Sequence, residues 1–194
     1  VPWADEVIVV DSGSQDRTVE LARSLGAKVF SEAWRGYREQ KNRAVELAAN
    51  DWILSLDADE ALSPESVTEL EALFADGALS GSTDGFEFPR LSYHMDRWIH
   101  HGGWYPDRQL RLFHRKRAKW SEGHVHERVQ ASHVRRLEKP ILHWPFADLT
   151  DQIRTNNNYS TLGARDLFDR GQRFSVWRMI FKAKSKFIET YLLK

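Results

Sequence analysis

Apolar residues fall in short runs that stop on carboxylates. Val7-Ile8-Val9-Val10 ends at Asp11, and Trp52-Ile53-Leu54-Ser55-Leu56 ends at Asp57-Ala58-Asp59-Glu60. Both runs are too short for most helices and lack a helical stripe, so they predict buried strands of a parallel sheet. Between them lies a turn-rich loop, Ser12 to Thr18, then a helix of about Thr18 to Leu25 with Gly26 as its C-terminal stop. A short strand at Lys28-Val29-Phe30 follows, and then a helix from about Gly36 to Ala49 that turns Ala44, Leu47 and Ala48 toward the sheet. Strand, helix, strand, helix, strand is the order of a doubly wound α/β half. Beyond the carboxylates, Ser63 is a natural N-cap and Pro64 a natural first helical residue, opening a helix to Phe74 with Val67, Leu70 and Phe74 on its apolar stripe. Asp76 to Thr83 is small and polar, a surface loop.

Past Gly85 the texture changes to aromatic, His and Arg residues. Gln109 to His114 alternates polar and apolar, which predicts a half-exposed strand. Arg128-Val129-Gln130 and Pro140 to Trp144 predict two more short strands, and from Leu149 the pattern is helical to the end. The expected organisation is one α/β domain over residues 1–148, with halves of about 1–84 and 85–148, followed by a helical basic tail over 149–194.

Composition narrows the class. The chain is 41% apolar and 29% charged with zero formal net charge, so it is a soluble-type chain with no global field toward nucleic acid. Cysteine is absent, which excludes disulfides, thiolate metal sites and a cysteine nucleophile. No apolar run approaches the roughly 20 residues of a membrane span. The chain opens on Val1 and enters a strand almost at once, which suggests a fragment.

Ligands of open α/β sheets collect beyond the carboxyl ends of the strands. Asp57 and Asp59, two apart at such an end, can reach one hard cation and the phosphates it carries; the bland alternative is an acidic, capped strand-to-helix turn. Asp11 can accept from a nucleoside base or ribose while the small residues of its loop, Ser14 among them, let the backbone approach; the alternative is again a capped turn. The loop is neither a Gly-Lys-Ser/Thr phosphate loop nor a Gly-x-Gly-x-x-Gly turn. His94 to Trp104, with Trp98, His100, His101, Gly102 and Gly103, is either a sugar-stacking surface or a satellite core. His124 and His126, two apart, share a strand face without a marked third ligand, so zinc is a weaker reading than Mg²⁺ or Mn²⁺ on the upstream aspartates. In the tail, Arg178, Lys182 and Lys186 recur every four residues, with Phe181, Ile188 and Leu192 off that ridge. Such a segment either lies at an anionic membrane surface or packs on the domain.

Ordered blocks carry a resemblance. Asp5 to Thr18, then Gln40-Lys41-Asn42, then Leu56-Asp57-Ala58-Asp59-Glu60 resemble family 2 glycosyltransferases of the GT-A fold. Gly102-Gly103-Trp104-Tyr105-Pro106-Asp107, Arg111-Leu112-Phe113 and Val125-His126-Glu127 resemble its bacterial lipopolysaccharide-core branch, which includes enzymes adding glucose to inner-core heptose. The resemblance spans about Ala4 to Trp144; the family's first strand, with its short Asn-Glu motif, has no counterpart here. It implies a Rossmann-like mixed sheet with flanking helices and a metal-dependent inverting transfer from a UDP-sugar to a lipid-linked saccharide. Carried over by position, Asp11 contacts uracil, Asp57 faces ribose and sugar phosphate, Asp59 ligates Mg²⁺ or Mn²⁺, and His143 approaches the metal or diphosphate. Lys41 either neutralises phosphate or is a solvated helix lysine. Glu127 is the implied general base, with Asp107 next, and Trp98, His101, Gly103 and Trp104 are expected to meet the acceptor. The implied location is cytoplasmic, peripheral at the inner face of a bacterial plasma membrane. Two rival readings are a sugar-phosphate nucleotidyltransferase and a truncated relative that binds a glycan without turnover.

Overall fold

A computed structural model describes residues 3–120 and 128–192. The element order is β1 (Ile8–Asp11), α1 (Thr18–Ser24), β2 (Lys28–Ser31), α2 (Tyr37–Leu47), β3 (Trp52–Leu54), β4 (Glu60–Leu62) and α3 (Pro64–Ala75), then β5 (Gly85–His94), β6 (Arg97–Ile99), β7 (Asp107–His114), β8 (Lys119–Trp120), β9 (Val129–Gln130), β10 (Val134–Arg136), β11 (Ile141–His143), α4 (Leu149–Asp169) and α5 (Val176–Leu192). The fold is mixed α/β. The chain forms two compact units: Val1–Ser55 with Thr68–Glu87 and Leu110–Arg136, and Leu56–Val67 with Phe88–Gln109 and Leu137–Lys194.

In the first unit β1 runs parallel to β2, with Asp11 opposite Ser31, and the helix between them stops where Gly26 takes φ +85°. β3 departs from the expected parallel arrangement: it is half-buried and pairs antiparallel with the end of β7, Trp52 opposite His114 and Leu54 opposite Leu112. A three-residue apolar run carries no information on strand direction, and its partner lies some sixty residues away. The end of β7 is also more buried than its alternation implies. Arg111, Leu112 and Phe113 are consecutively buried, so both faces of the strand are covered there. Phe113 joins Ala118, Trp120 and Val129 in a core cluster to which Val45, Ile53, Leu110 and Ala131 add their side chains.

Gly85, where β5 runs parallel to β10, is fixed by space. A Cβ there would lie 2.7 Å from Leu110 Cδ1 and 2.9 Å from the Leu112 carbonyl oxygen, and a backbone oxygen inside a sheet cannot step aside. Gly85→Ala is therefore expected to destabilise by about 1–3 kcal/mol through overpacking. Gly163, inside α4, has open space around it. Gly163→Ala is expected to stabilise by up to about 1 kcal/mol through helix propensity. Thermal melts of the two variants should move in opposite directions.

The second unit holds its own mixed pairing. β11 runs parallel to Arg90–Ser92 of β5 and antiparallel to β4, which brings His143 opposite both Ser92 and Glu60. β5 turns into β6 through Met95 and Asp96, both at positive φ (46° and 60°), the geometry of a two-residue hairpin loop. α3 begins as its sequence implies: the Ser66 N–H donates to Ser63 Oγ at 3.0 Å. The helical tail is two helices. Asp148 caps α4 by accepting from the Asp151 N–H at 2.8 Å, and Gly171 at φ +71° follows the helix end. Among the described residues no helix is long and apolar enough to cross a membrane.

Candidate active site

The loop after β1 is built by the carboxylate that ends the strand. Asp11 is buried; its Oδ2 accepts from the Gly13 N–H at 2.9 Å, and Ser14 Oγ donates to Oδ1 at 2.5 Å. The Ser14 hydroxyl and the Gly13 N–H hold its carboxyl below the usual aspartate range, so it is ionised at neutral pH. Gly13 at φ +101° makes the tight return possible, and Gln40 Nε2 donates to Ser12 Oγ at 2.8 Å, tying the loop to α2. Asp11 and Ser14 are thus brought together. Lys41 is elsewhere in the same unit, its Nζ 4.6 Å from the centre of the Trp120 ring in a cation–π contact.

In the second unit the turn from Asp57 to Glu60 is held at several points. The Glu60 N–H donates to the Asp57 carbonyl at 3.0 Å, and the Asp57 N–H donates to Glu60 Oε2 at 3.2 Å. The Glu60 side chain is fully buried and balanced by Arg90, whose Nη1 lies 3.3 Å from Oε1. Arg90 also grips Asp107 Oδ2 at 2.5 and 3.0 Å, while Gln109 donates to Asp107 Oδ1 at 3.0 Å. This chain of charges sets the position of the turn, so Asp59 is carried on a braced loop.

Asp59 meets His143: Oδ2 is 3.4 Å from Nε2, and His143 Nδ1 is 2.9 Å from Ser92 Oγ. Burial pushes the Asp59 carboxyl up and Asp57 adds to that, but the hydrogen bond and charge of His143 outweigh both and leave it below its ordinary value. The Asp59 carbonyl accepts from the Trp144 N–H at 2.9 Å, which locks the loop to the strand end. Among the described residues no group of three or more His, Asp or Glu side chains forms a metal cage. Mg²⁺ does not require one, since it is commonly held by one or two carboxylates with substrate phosphates and water. The Asp59 carboxylate and the His143 imidazole, facing each other with Asp57 two residues away, are the groups that would hold such a cation.

The same unit carries aromatic residues, of which Trp144 directly follows His143 and donates its N–H to the Asp59 carbonyl. Trp98 is half-buried, edge-on to Tyr93 (5.0 Å) and to Trp144 (5.3 Å), whereas His94 stacks on Trp104 at 5.2 Å and 24°. Trp104 and Trp144 remain 37% and 41% exposed and present ring surface. Gly102 and Gly103 take φ +69° and +78°, and the Trp104 N–H closes the turn on the His101 carbonyl at 3.3 Å. Trp98 thus packs between Tyr93 and Trp144. Trp144 was not picked out as a site residue from the sequence, although a tryptophan directly after His143 was the available signal. Glu127, with His124 and His126, lies outside the described residues.

Comparison with known proteins gives a consistent family. The family model for glycosyl transferase family 2 matches residues 4–139. An uncharacterized glycosyltransferase of Rickettsia felis is 32% identical over 98% of this chain and 70% of its own length, and one of Rickettsia bellii is 33% identical over 98% and 68%. The lipopolysaccharide core biosynthesis glycosyltransferase LpsC of Rhizobium meliloti is 29% identical over 96% of this chain and 71% of its own length.

Proposed function

The chain belongs to glycosyl transferase family 2, and from that premise we propose that it moves a sugar, glucose in the first instance, from a UDP-sugar to a saccharide of lipopolysaccharide core or a related envelope glycan, with inversion. The observation that carries the reading is the Asp59–His143 pair on a braced loop, beside exposed tryptophan surface. The name of LpsC supports the acceptor class.

In this reading the loop of Asp11 to Ser14 receives the uracil end of the donor, and Asp57 faces ribose and sugar phosphate. Asp59 and His143 would hold Mg²⁺ or Mn²⁺. When bound, that cation supplies positive charge against the leaving diphosphate. Trp104 and Trp144 offer ring faces to the acceptor sugar, whose axial C–H groups pack on aromatic surface while its hydroxyls stay wet. Glu127 takes the proton from the attacking hydroxyl. The oxygen then bonds to the anomeric carbon from the face opposite the departing diphosphate, the old anomeric C–O bond breaks, and UDP leaves with the bonding pair. No covalent intermediate is needed.

The test is incubation with UDP-glucose, Mn²⁺ and a heptose-containing core oligosaccharide, followed by NMR of the product. The expected result is one new glycosidic bond with the anomeric configuration opposite to that of the donor. A product of retained configuration removes the single-displacement scheme and the role of Glu127 with it.

A further inference from the structure

Among the described residues, helix α5 is exposed over most of its surface. Trp177 is 72% exposed, Phe181 66% and Ile188 46%, and the intervals of four and seven residues place all three along one side of the helix. Thr190, nine residues after Phe181 and so about 180° around the helix, is on the other side and half-buried. A Cβ built on Gly102 would lie 3.8 Å from Thr190 Cγ2. The inward side of α5 thus touches the loop that carries Trp104, and the aromatic side points away from it.

On helical geometry Lys184 falls among the exposed apolar positions of that outward side, where its stem can lie along apolar surface while the ammonium reaches the rim, and Arg178 and then Lys182 follow along the flank next to Phe181. Within α5 four basic residues, counting Lys186, face a single acid, Glu189. In a chain of zero formal charge this is a local concentration of one sign. Lysine is depleted from the cores of protein–protein interfaces, where its ammonium would be desolvated. Bulky aromatics flanked by lysine and arginine suit a surface that is apolar below and phosphate-rich at its rim.

We propose that α5 seats the protein on an anionic lipid surface, with Trp177, Phe181 and Ile188 in the head-group boundary and Arg178, Lys182 and Lys184 against lipid phosphates. The packing of Thr190 near Gly102 then carries the acceptor loop on the far side of the helix, about 10 Å above that boundary and within reach of a lipid-anchored saccharide. The acceptor-presentation step rests on the transfer reading above; the lipid contact itself does not.

Sedimentation with vesicles of phosphatidylcholine, alone or mixed with phosphatidylglycerol, at low and high salt tests it. The expected result is binding to the mixed vesicles, weakened by salt, with little binding to neutral ones. Reversing Arg178, Lys182 and Lys184 to Glu should weaken binding about 100-fold or more, since each basic residue near an anionic surface contributes roughly a factor of five. Trp177→Ser with Phe181→Ser should abolish the binding that survives high salt. All five positions are exposed, and circular dichroism checks that the helices persist. The proposal is overturned if the unmutated protein ignores mixed vesicles at low salt, if charge reversal changes nothing, or if light scattering finds a dimer that Phe181→Ser dissolves. Calorimetric titration with UDP separates the two ideas. UDP binding without vesicle binding removes the lipid seat alone, and vesicle binding without UDP binding removes the transfer reading alone.

Discussion

Asp59→Asn is expected to lower turnover by about 10²-fold or more and to erase the metal dependence of UDP binding. Asparagine keeps the shape of the side chain but removes its charge and weakens it as a ligand for a hard cation. The backbone contacts of the loop do not depend on that charge. The Asp59 carbonyl still accepts from Trp144, and Glu60 still pairs with Arg90. The fold should therefore persist and the loss should be local. A cation at a departing diphosphate contributes several kcal/mol. Losing about 3 kcal/mol of that through one weakened ligand corresponds to roughly 10²-fold. The cleanest readout is the ratio of UDP affinities with and without Mn²⁺, large in the unmutated protein and near one in the variant. His143→Ala should shrink the ratio too, because Nε2 faces Asp59 Oδ2 at 3.4 Å. UDP affinity that is indifferent to Mn²⁺ and Mg²⁺ in the unmutated protein would falsify the assignment of both residues.

The parts of this site that could be read from sequence are those whose chemistry is local. Asp11 and Asp59 stand where an apolar run meets a carboxylate, and the Ser63-Pro64 helix start is a cap written in adjacent residues. The hydrogen bonds of the Asp11 side chain are likewise local, reaching no further than Ser14. What escaped the sequence is what sheets assemble from a distance. Glu60 and Arg90 are thirty residues apart, and Arg90 and Asp107 seventeen, yet their ion pairs set the loop that carries Asp59. A half-buried arginine in a strand demands a counter-charge, but nothing local says which carboxylate supplies it. β4 is a three-residue strand of ordinary composition, and only its pairing with β11 brings Glu60 opposite His143. The antiparallel direction of β3 escaped for the same reason. Resemblance, not periodicity, suggested that His143 belongs with Asp59; register explains how it gets there. Trp98 falls in a segment for which the sequence leaves sugar stacking and a satellite core both open. Its aromatic character was legible, but its place under Trp144 and Tyr93 is a packing fact.

Glu127→Gln is expected to reduce turnover by about 10²–10⁴-fold, the usual cost of removing a general base, with UDP affinity little changed. Glutamine matches glutamate in length and hydrogen-bonding reach but cannot take a proton from the acceptor hydroxyl, so the loss should fall on kcat rather than on donor binding. The rival base within the described residues is Asp107. Its Oδ2 is occupied twice by Arg90, at 2.5 and 3.0 Å, and its Oδ1 accepts from Gln109 at 3.0 Å. A carboxylate whose two oxygens are already engaged by donors is a member of a bracing network rather than a group waiting for a proton. Asp107→Asn should consequently act through Arg90 and Glu60, loosening the turn that carries Asp59. Its signature would be weaker metal-supported UDP binding together with lower turnover, whereas Glu127→Gln should show lower turnover alone. The pH profile separates them further: the acid limb of kcat that reports the base should vanish in Glu127→Gln and survive in Asp107→Asn. Near-normal turnover in Glu127→Gln, with the acid limb intact, would move the proton-accepting role away from Glu127 and make Asp107 the first residue to reconsider.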